Sequence, residues 1–130
     1  MKYFFSTTLV GVSFDEAEKR VTEQLKSEGF GILTEIDVTG TFKKKLDVDF
    51  KKYKILGACN PQIAYKALQI DDKAGVFLPC NIVVKEHDNG TIEVSSVNPV
   101  ASMMSIEHEE IGRLMREVEQ KLKAVINSLK

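Results

Sequence analysis

The sequence predicts an α+β fold, a two-layer sandwich in which an antiparallel sheet of about five strands carries helices on one face. Segments with the two-residue period of strands cluster between helical segments, without the strict alternation of strand and helix that builds a parallel sheet. A tight turn, Asp88-Asn89-Gly90, joins the last two strand segments as a hairpin. A long amphipathic helix ends the chain. The expected order is β-α-β4-α, with a helical excursion before the fourth strand.

Length and composition favour one globular unit. The chain has 130 residues, of which 43% are hydrophobic and 28% charged, and domains cluster around roughly 100–150 residues. We therefore expect residues 1–130 to form a single domain. The net charge of -1 and the pI of about 6.1 provide no basic field that would attract a phosphate backbone, so nucleic acid is not an expected partner.

The distribution of apolar residues argues against a membrane segment. No apolar run approaches the roughly 18 residues that a spanning helix needs. The apolar stretch from Tyr3 to Val12 is interrupted by Ser6, Thr7 and Thr8, and no positively charged leader accompanies it, so it is interpreted as a strand. We expect a soluble, cytoplasmic protein with no membrane partner, whose two cysteines are reduced thiols.

The first elements are a strand and a capped helix. The stretch from Tyr3 to Val10 is rich in aromatic and β-branched residues, which is typical of a strand. Ser13 and Glu16 have the spacing of a capping box, which predicts a helix from Ser13 to about Ser27. Gly29 is a natural left-handed stop for it.

The next segment has the period of a strand, and a less regular stretch follows it. From Phe30 to Val38 apolar or β-branched residues alternate with other side chains, which predicts a second strand with one face made of Phe30, Ile32, Thr34, Ile36 and Val38. Residues 39–52 suggest a loop with a helical turn, anchored by Phe42, Leu46, Val48 and Phe50. The lysines at 43–45 form either an anion-binding patch or, as is more common for a balanced charge run, a solvated face.

The second half contains three strands and two helices. The third strand is expected over Tyr53–Ala58, and Asn60-Pro61 then opens a helix that Asp71-Asp72 ends. The nearly continuous apolar run from Gly75 to Glu86 predicts a buried fourth strand, and residues 92–97 alternate as a fifth. The terminal helix is expected to begin at a Ser105 cap and to pack through one apolar stripe: Ile111, Met115, Val118, Leu122, Val125 and Leu129.

The candidate site lies in the stretch from Tyr53 to Lys85, which contains both cysteines. Each is followed by an asparagine and lies beside a proline, as Cys59-Asn60 and Cys80-Asn81. Free cysteines are often buried as small hydrophobes, but the same pair could also serve a ligand, a soft metal or a redox reaction. Asn60 and Asn81 either cap and fix turns or contact the ligand. Tyr53 could supply a hydrogen-bonding or proton-transfer group.

Three segments resemble one family. The segment from Tyr53 to Pro61, the segment Leu78-Pro79-Cys80-Asn81, and Asn98-Pro99 with Met103-Met104 are together similar to the bacterial and archaeal domain-of-unknown-function 302 family, over essentially the whole chain. The resemblance implies a TATA-binding-protein-like α+β fold, small homodimers and no established activity. Asn98 stands where the family would lead us to expect an aspartate, and Lys85 where an aromatic residue is common.

This resemblance also implies where the cysteines meet. If the strand that ends at Cys59 and the strand that begins at Cys80 are antiparallel neighbours, as that fold implies, both thiols lie at one end of the sheet and can share a pocket. Cys59 precedes a helix N-terminus, which can lower the pKa of a thiol, so we expect Cys59 to be the more reactive of the two.

Three functions remain open on the sequence. The first is a small-molecule or anion binding module with its pocket near Cys59 and Cys80, lined also by Asn60, Asn81 and Tyr53. The second is a thiol-based enzyme or a sulfur or metal carrier that uses the two cysteines, although no metal-binding signature surrounds them. The third is a structural or regulatory homodimer without a ligand. A homodimer is expected in each case, because helices are predicted on only one face of the sheet.

Overall fold

The structure, a computed structural model, describes residues 2–103 and 106–130. Its strands and helices follow in chain order as β1 Phe4–Leu9, α1 Phe14–Ser27, β2 Gly31–Asp37, α2 Val38–Leu46, β3 Tyr53–Cys59, α3 Pro61–Ile70, a 3₁₀ turn Asp72–Phe77, β4 Cys80–Glu86, β5 Ile92–Val97, α4 Pro99–Ser102 and α5 Glu109–Ser128. Within the described ranges, no helix combines the length and the hydropathy needed to cross a membrane.

The strands form one antiparallel five-stranded sheet in the order β1-β5-β4-β3-β2. The first strand therefore pairs with the last, with Phe4 opposite Val97 and Leu9 opposite Ile92. Helices α1, α3 and α5 pack on one face of this sheet, and the hydrophobic core lies between the two layers. The expected α+β sandwich is confirmed.

The core is built by periodicities that are visible in the sequence. In α1, the four residues at helical spacing are all buried: Phe14, Ala17, Val21 and Leu25. The Ser13 hydroxyl caps this helix by accepting a hydrogen bond from the Glu16 N–H at 3.1 Å. Gly29 follows with φ +87°, where a side chain would be strained. Each fully buried Leu, Ile or Val stabilises the fold by about 1.5–3 kcal/mol.

The second strand is present, but its predicted face is wrong. The pairing of β2 with β3 is interrupted by a bulge, because Ile32 lies opposite Ala58 and Thr34 lies opposite the next residue, Gly57. Leu33 is therefore an extra residue, and the alternation reverses after it. As a result Ile32 lies on the helix-covered face, whereas Ile36, opposite Ile55, lies on the other face, where it is exposed.

The stretch after β2 is more helical and less buried than predicted. Asp37 caps α2 by accepting from the Gly40 N–H at 3.0 Å, and Asp47 ends the helix with φ 53°. The four expected anchors do not reach the core: Phe42 is only half-buried, and Leu46, Val48 and Phe50 are exposed. No described residue of α2 is buried.

Two further boundaries differ from the prediction. The fourth strand begins at Cys80 rather than Gly75, because the apolar residues before it belong to the 3₁₀ turn, which Asp71 caps. The last helix begins at Glu109, where the extended His108 accepts a hydrogen bond from the Glu110 N–H at 3.2 Å. Ser105, the predicted cap, lies outside the described residues. All six predicted stripe residues are buried.

Candidate functional site

The two cysteines lie at the same end of the sheet. Strands β3 and β4 are antiparallel, and Ala58, the residue before Cys59, is paired with Cys80. Both cysteines border one small cavity on the helix-covered side. Apolar residues just before β2, in α3 and in α5 complete its lining, among them Phe30, Ile63 and Met115. Its volume is about 20 Å³, whereas small-molecule sites occupy roughly 300–1,000 Å³. The cysteine end is thus closely packed on this side.

The environment of the thiols disfavours the thiolate. Burial raises the pKa of Cys59, against the expectation of a lowered value at a helix N-terminus. Burial, with a smaller contribution from the nearby Cys59, raises the pKa of Cys80 to about 11. Asn60 acts as the cap of α3, with its side-chain oxygen accepting from the Ile63 N–H at 3.3 Å. Neutral thiols are poor nucleophiles and poor metal ligands.

This packing predicts slow and unequal thiol chemistry. In the native protein at pH 7.5, Ellman's reagent should modify the half-buried Cys59 slowly and leave the buried Cys80 unmodified until the chain unfolds in urea. Cys59→Ala should remove the native reaction and keep the reaction in urea. Rapid, equal modification of both thiols in the folded protein would contradict the packed arrangement.

Two of the predicted site residues, Tyr53 and Asn81, lie elsewhere. Both belong to the sheet face opposite the helices, here called the open face. Tyr53 begins β3, at the opposite end of that strand from Cys59, and is paired with Lys85. Asn81 is exposed, beside Gly57, and among the described residues its side chain makes no hydrogen bond. The five predicted residues are therefore divided between the two sides of the sheet.

The open face contains a groove much larger than the cavity between the cysteines. It has a volume of about 290 Å³ and is lined by apolar, aromatic and polar side chains, among them Phe4, Tyr53, Asn81, Val83 and Val97. A second cavity of about 280 Å³ lies beside it, where the 3₁₀ turn and α4 adjoin the sheet. The two share Asn81 and Val97, and the second also borders Cys80, Pro79 and Met103. Together they are here called the open-face groove.

A polar cluster at one side of this groove was not predicted. Glu93 accepts hydrogen bonds from the Ser6 hydroxyl and from His87 Nε2, the latter at 2.8 Å, and Lys85 Nζ lies 3.5 Å from Glu93 Oε1. The Ser6 hydrogen bond is the main cause that lowers the pKa of Glu93, and His87 and Lys85 act in the same direction. One signal was visible in the sequence: Glu93 alternates with the buried Ile92 and Val94, which places a charge on the sheet surface.

Among residues 2–103 and 106–130, no group of three or more His, Cys, Asp or Glu side chains converges as a metal site would require.

Comparison with known proteins identifies relatives of the whole chain. The model of a family described as "Domain of unknown function DUF302" matches residues 5–129. A crystal structure of an uncharacterized conserved protein DUF302 from Bacillus stearothermophilus is similar over 100% of both chains, with 27% sequence identity and a TM-score of 0.91. No curated protein matches the chain.

Proposed function

Because this chain belongs to the domain of unknown function DUF302 family, whose description names no activity, we propose a function from its own geometry: a cytoplasmic, single-domain module that binds a small molecule in the open-face groove. One observation carries the proposal. A cavity of about 290 Å³ lies on the open face of the sheet, and a neighbouring cavity of about 280 Å³ shares Asn81 and Val97 with it.

The composition of the groove supports this role. Small-molecule sites combine a mainly apolar lining with a few polar groups that fix orientation. Here Val83 and Val97 supply apolar surface, and the Asn81 amide has free donors and an acceptor among the described contacts. The volume of each cavity lies near the lower limit of ordinary ligand sites, and the two share Asn81 and Val97 in their linings. The cavity between the cysteines has space for about one water molecule and is apolar, which makes it a poor ligand site.

Blocking the groove tests the proposal. We expect a library of small polar–apolar compounds, screened by thermal shift and by two-dimensional NMR, to give ligands that perturb the amide signals of Asn81 and Val97. Asn81→Trp should abolish that binding, because the indole would occupy the junction of the two cavities while the exposed position leaves the core intact.

A matched substitution separates blockage from a general effect of tryptophan. Gln120 is exposed on α5, on the far side of the molecule from the groove, so Gln120→Trp should bind ligands as the wild type does. Ligands that bind both variants equally well would show that the site lies elsewhere. A screen in which no compound perturbs the groove would refute the proposed function.

A second candidate, a homodimer, is favoured by α2 and the segment after it. Isolated helices shorter than about 12 residues are marginal in water, yet α2 buries no described residue of its own. Four exposed apolar residues lie on or beside it: Ile36, Leu46, Val48 and Phe50. A second copy of the chain could cover this apolar arm, defined as Ile36 to Phe50, and such a dimer is compatible with ligand binding.

Light scattering tests the dimer. At high micromolar concentration the wild type should have twice the mass of one chain, and Leu46→Asp, which places a charge in the apolar arm, should shift it to one chain. Val10→Asp is the control, since Val10 is also highly exposed but lies outside the arm. A monomeric wild type, or a dimer that Leu46→Asp leaves intact, would exclude this interface.

A further inference from the structure

The charged groups of the open-face groove are unequally satisfied. Lys85 and Glu93 are the charged side chains in the described lining of its larger cavity. Both oxygens of Glu93 are engaged: Oε2 accepts from Ser6, and Oε1 accepts from His87 and faces Lys85. Glu93 therefore has little capacity to bind a ligand cation.

Lys85 is in the opposite situation. Its ammonium has three donors, and among the described residues its one ionic partner is Glu93 at 3.5 Å. This distance exceeds the 2.7–2.9 Å of a charge-assisted hydrogen bond. Lys85 is only partly exposed, so a ligand anion that reached it would be screened less than one at the open surface. The unsatisfied group of the pair is thus the cation.

The rest of the groove sets the shape of the ligand. Asn81 and Lys85 lie on the same face of β4, four residues apart, which separates them by about 13 Å. Val83 lies between them on that face. The ring of Tyr53, on the adjacent β3, and the ring of Phe4, on β1 beyond β5, also border the groove. Aromatic rings in a mainly apolar lining favour an aromatic, apolar ligand body.

From these contacts, and given the binding function proposed above, we infer that the ligand is an elongated aromatic carboxylate: its carboxylate pairs with Lys85, its planar body lies over Val83, and a polar group at its far end reaches Asn81. Binding needs no covalent step.

The test uses 6-hydroxy-2-naphthoate and the corresponding neutral amide, 6-hydroxy-2-naphthamide, titrated by calorimetry and NMR. The wild type should bind the acid at least about tenfold more tightly than the amide, since a hydrogen bond to a charged group contributes about 1.5–3 kcal/mol. Lys85→Gln should lower the affinity for the acid by about ten- to a hundredfold and leave the affinity for the amide unchanged. Lys85→Arg keeps the charge and should keep the preference for the acid.

Lys26, exposed in the last turn of α1 on the helix-covered side, gives the matched control, and Lys26→Gln should change neither affinity. Equal affinity of the wild type for acid and amide, or a preference that survives in Lys85→Gln, overturns the inference. Failure of the acid to bind overturns it as well. The proposed function is judged separately: neutral library compounds that bind in the groove and are lost in Asn81→Trp would sustain it even then.

Discussion

Replacing Gly57 by valine is expected to lower the free energy of unfolding by about 3 kcal/mol or more, and Tm by roughly 10 °C. Gly57 is buried in β3 on the open face, where Thr34 and Pro79 close over it. A Cβ at this position would overlap Thr34 Oγ1 and lie 2.7 Å from Pro79 Cγ. These overlaps could be relieved only if Thr34, on the edge strand β2, and the Pro79 ring moved away from position 57.

Gly31 provides the control for this prediction. It lies in β2, has no heavy atom within 4 Å of the position of an added Cβ, and is exposed. Gly31→Val should therefore change stability by no more than about 0.5 kcal/mol. A double-mutant cycle of Gly57→Ala with Thr34→Ala should show coupling, because removing the Thr34 hydroxyl relieves one of the two overlaps. Equal effects of valine at positions 57 and 31 would refute the packing argument.

Leu122→Ala should destabilise the protein by about 3 kcal/mol. Leu122 is fully buried in the middle of α5, and its side chain belongs to the core cluster between that helix and the sheet. Truncation leaves a cavity that the surrounding core residues can fill only partly. Urea unfolding, followed by far-UV circular dichroism, should show a lower midpoint with an unchanged slope.

The neighbouring surface residue is the reference for this substitution. Gln120 is exposed on the same helix, so Gln120→Ala should leave the midpoint almost unchanged, with an effect within about 0.5 kcal/mol. A loss of less than 1 kcal/mol in Leu122→Ala, relative to Gln120→Ala, would show that α5 contributes less to the core than its burial indicates.

The parts of the fold that depend on local patterns were predictable. The Ser13 cap of α1 and the stripe that includes Leu122 are properties of one helix each, and both are confirmed. The Glu16 half of the capping box is not, because the Glu16 carboxylate pairs with Arg20. The reversal of the β2 face could not be predicted from the sequence, because the bulge at Leu33 exists only in the pairing with β3. The start of the fourth strand was predicted too early, because hydrophobicity alone does not distinguish a buried strand from the 3₁₀ turn that contains the apolar run before Cys80.

The candidate site was predictable only in part. The sequence indicated Tyr53 and Asn81, but nothing in their spacing shows that they face away from the helices while Cys59 and Cys80 border a cavity on the covered side. The cluster around Glu93 was missed because Ser6 lies 87 positions away along the chain. Such a contact depends on the sheet order, and the sheet order comes from the tertiary fold.

The position of β1 has a consequence for synthesis on the ribosome. This strand is synthesised before the other four, yet its place in the sheet is beside β5, so Phe4 cannot pair until Val97 has been synthesised. At about 5–20 residues per second, its aromatic and β-branched residues leave the exit tunnel several seconds before their partner does. During that interval the nascent chain can form α1 and can pair β2, β3 and β4 with one another, but β1 stays unpaired. Pairing of β1 with β5 is therefore one of the last steps in completing the sheet.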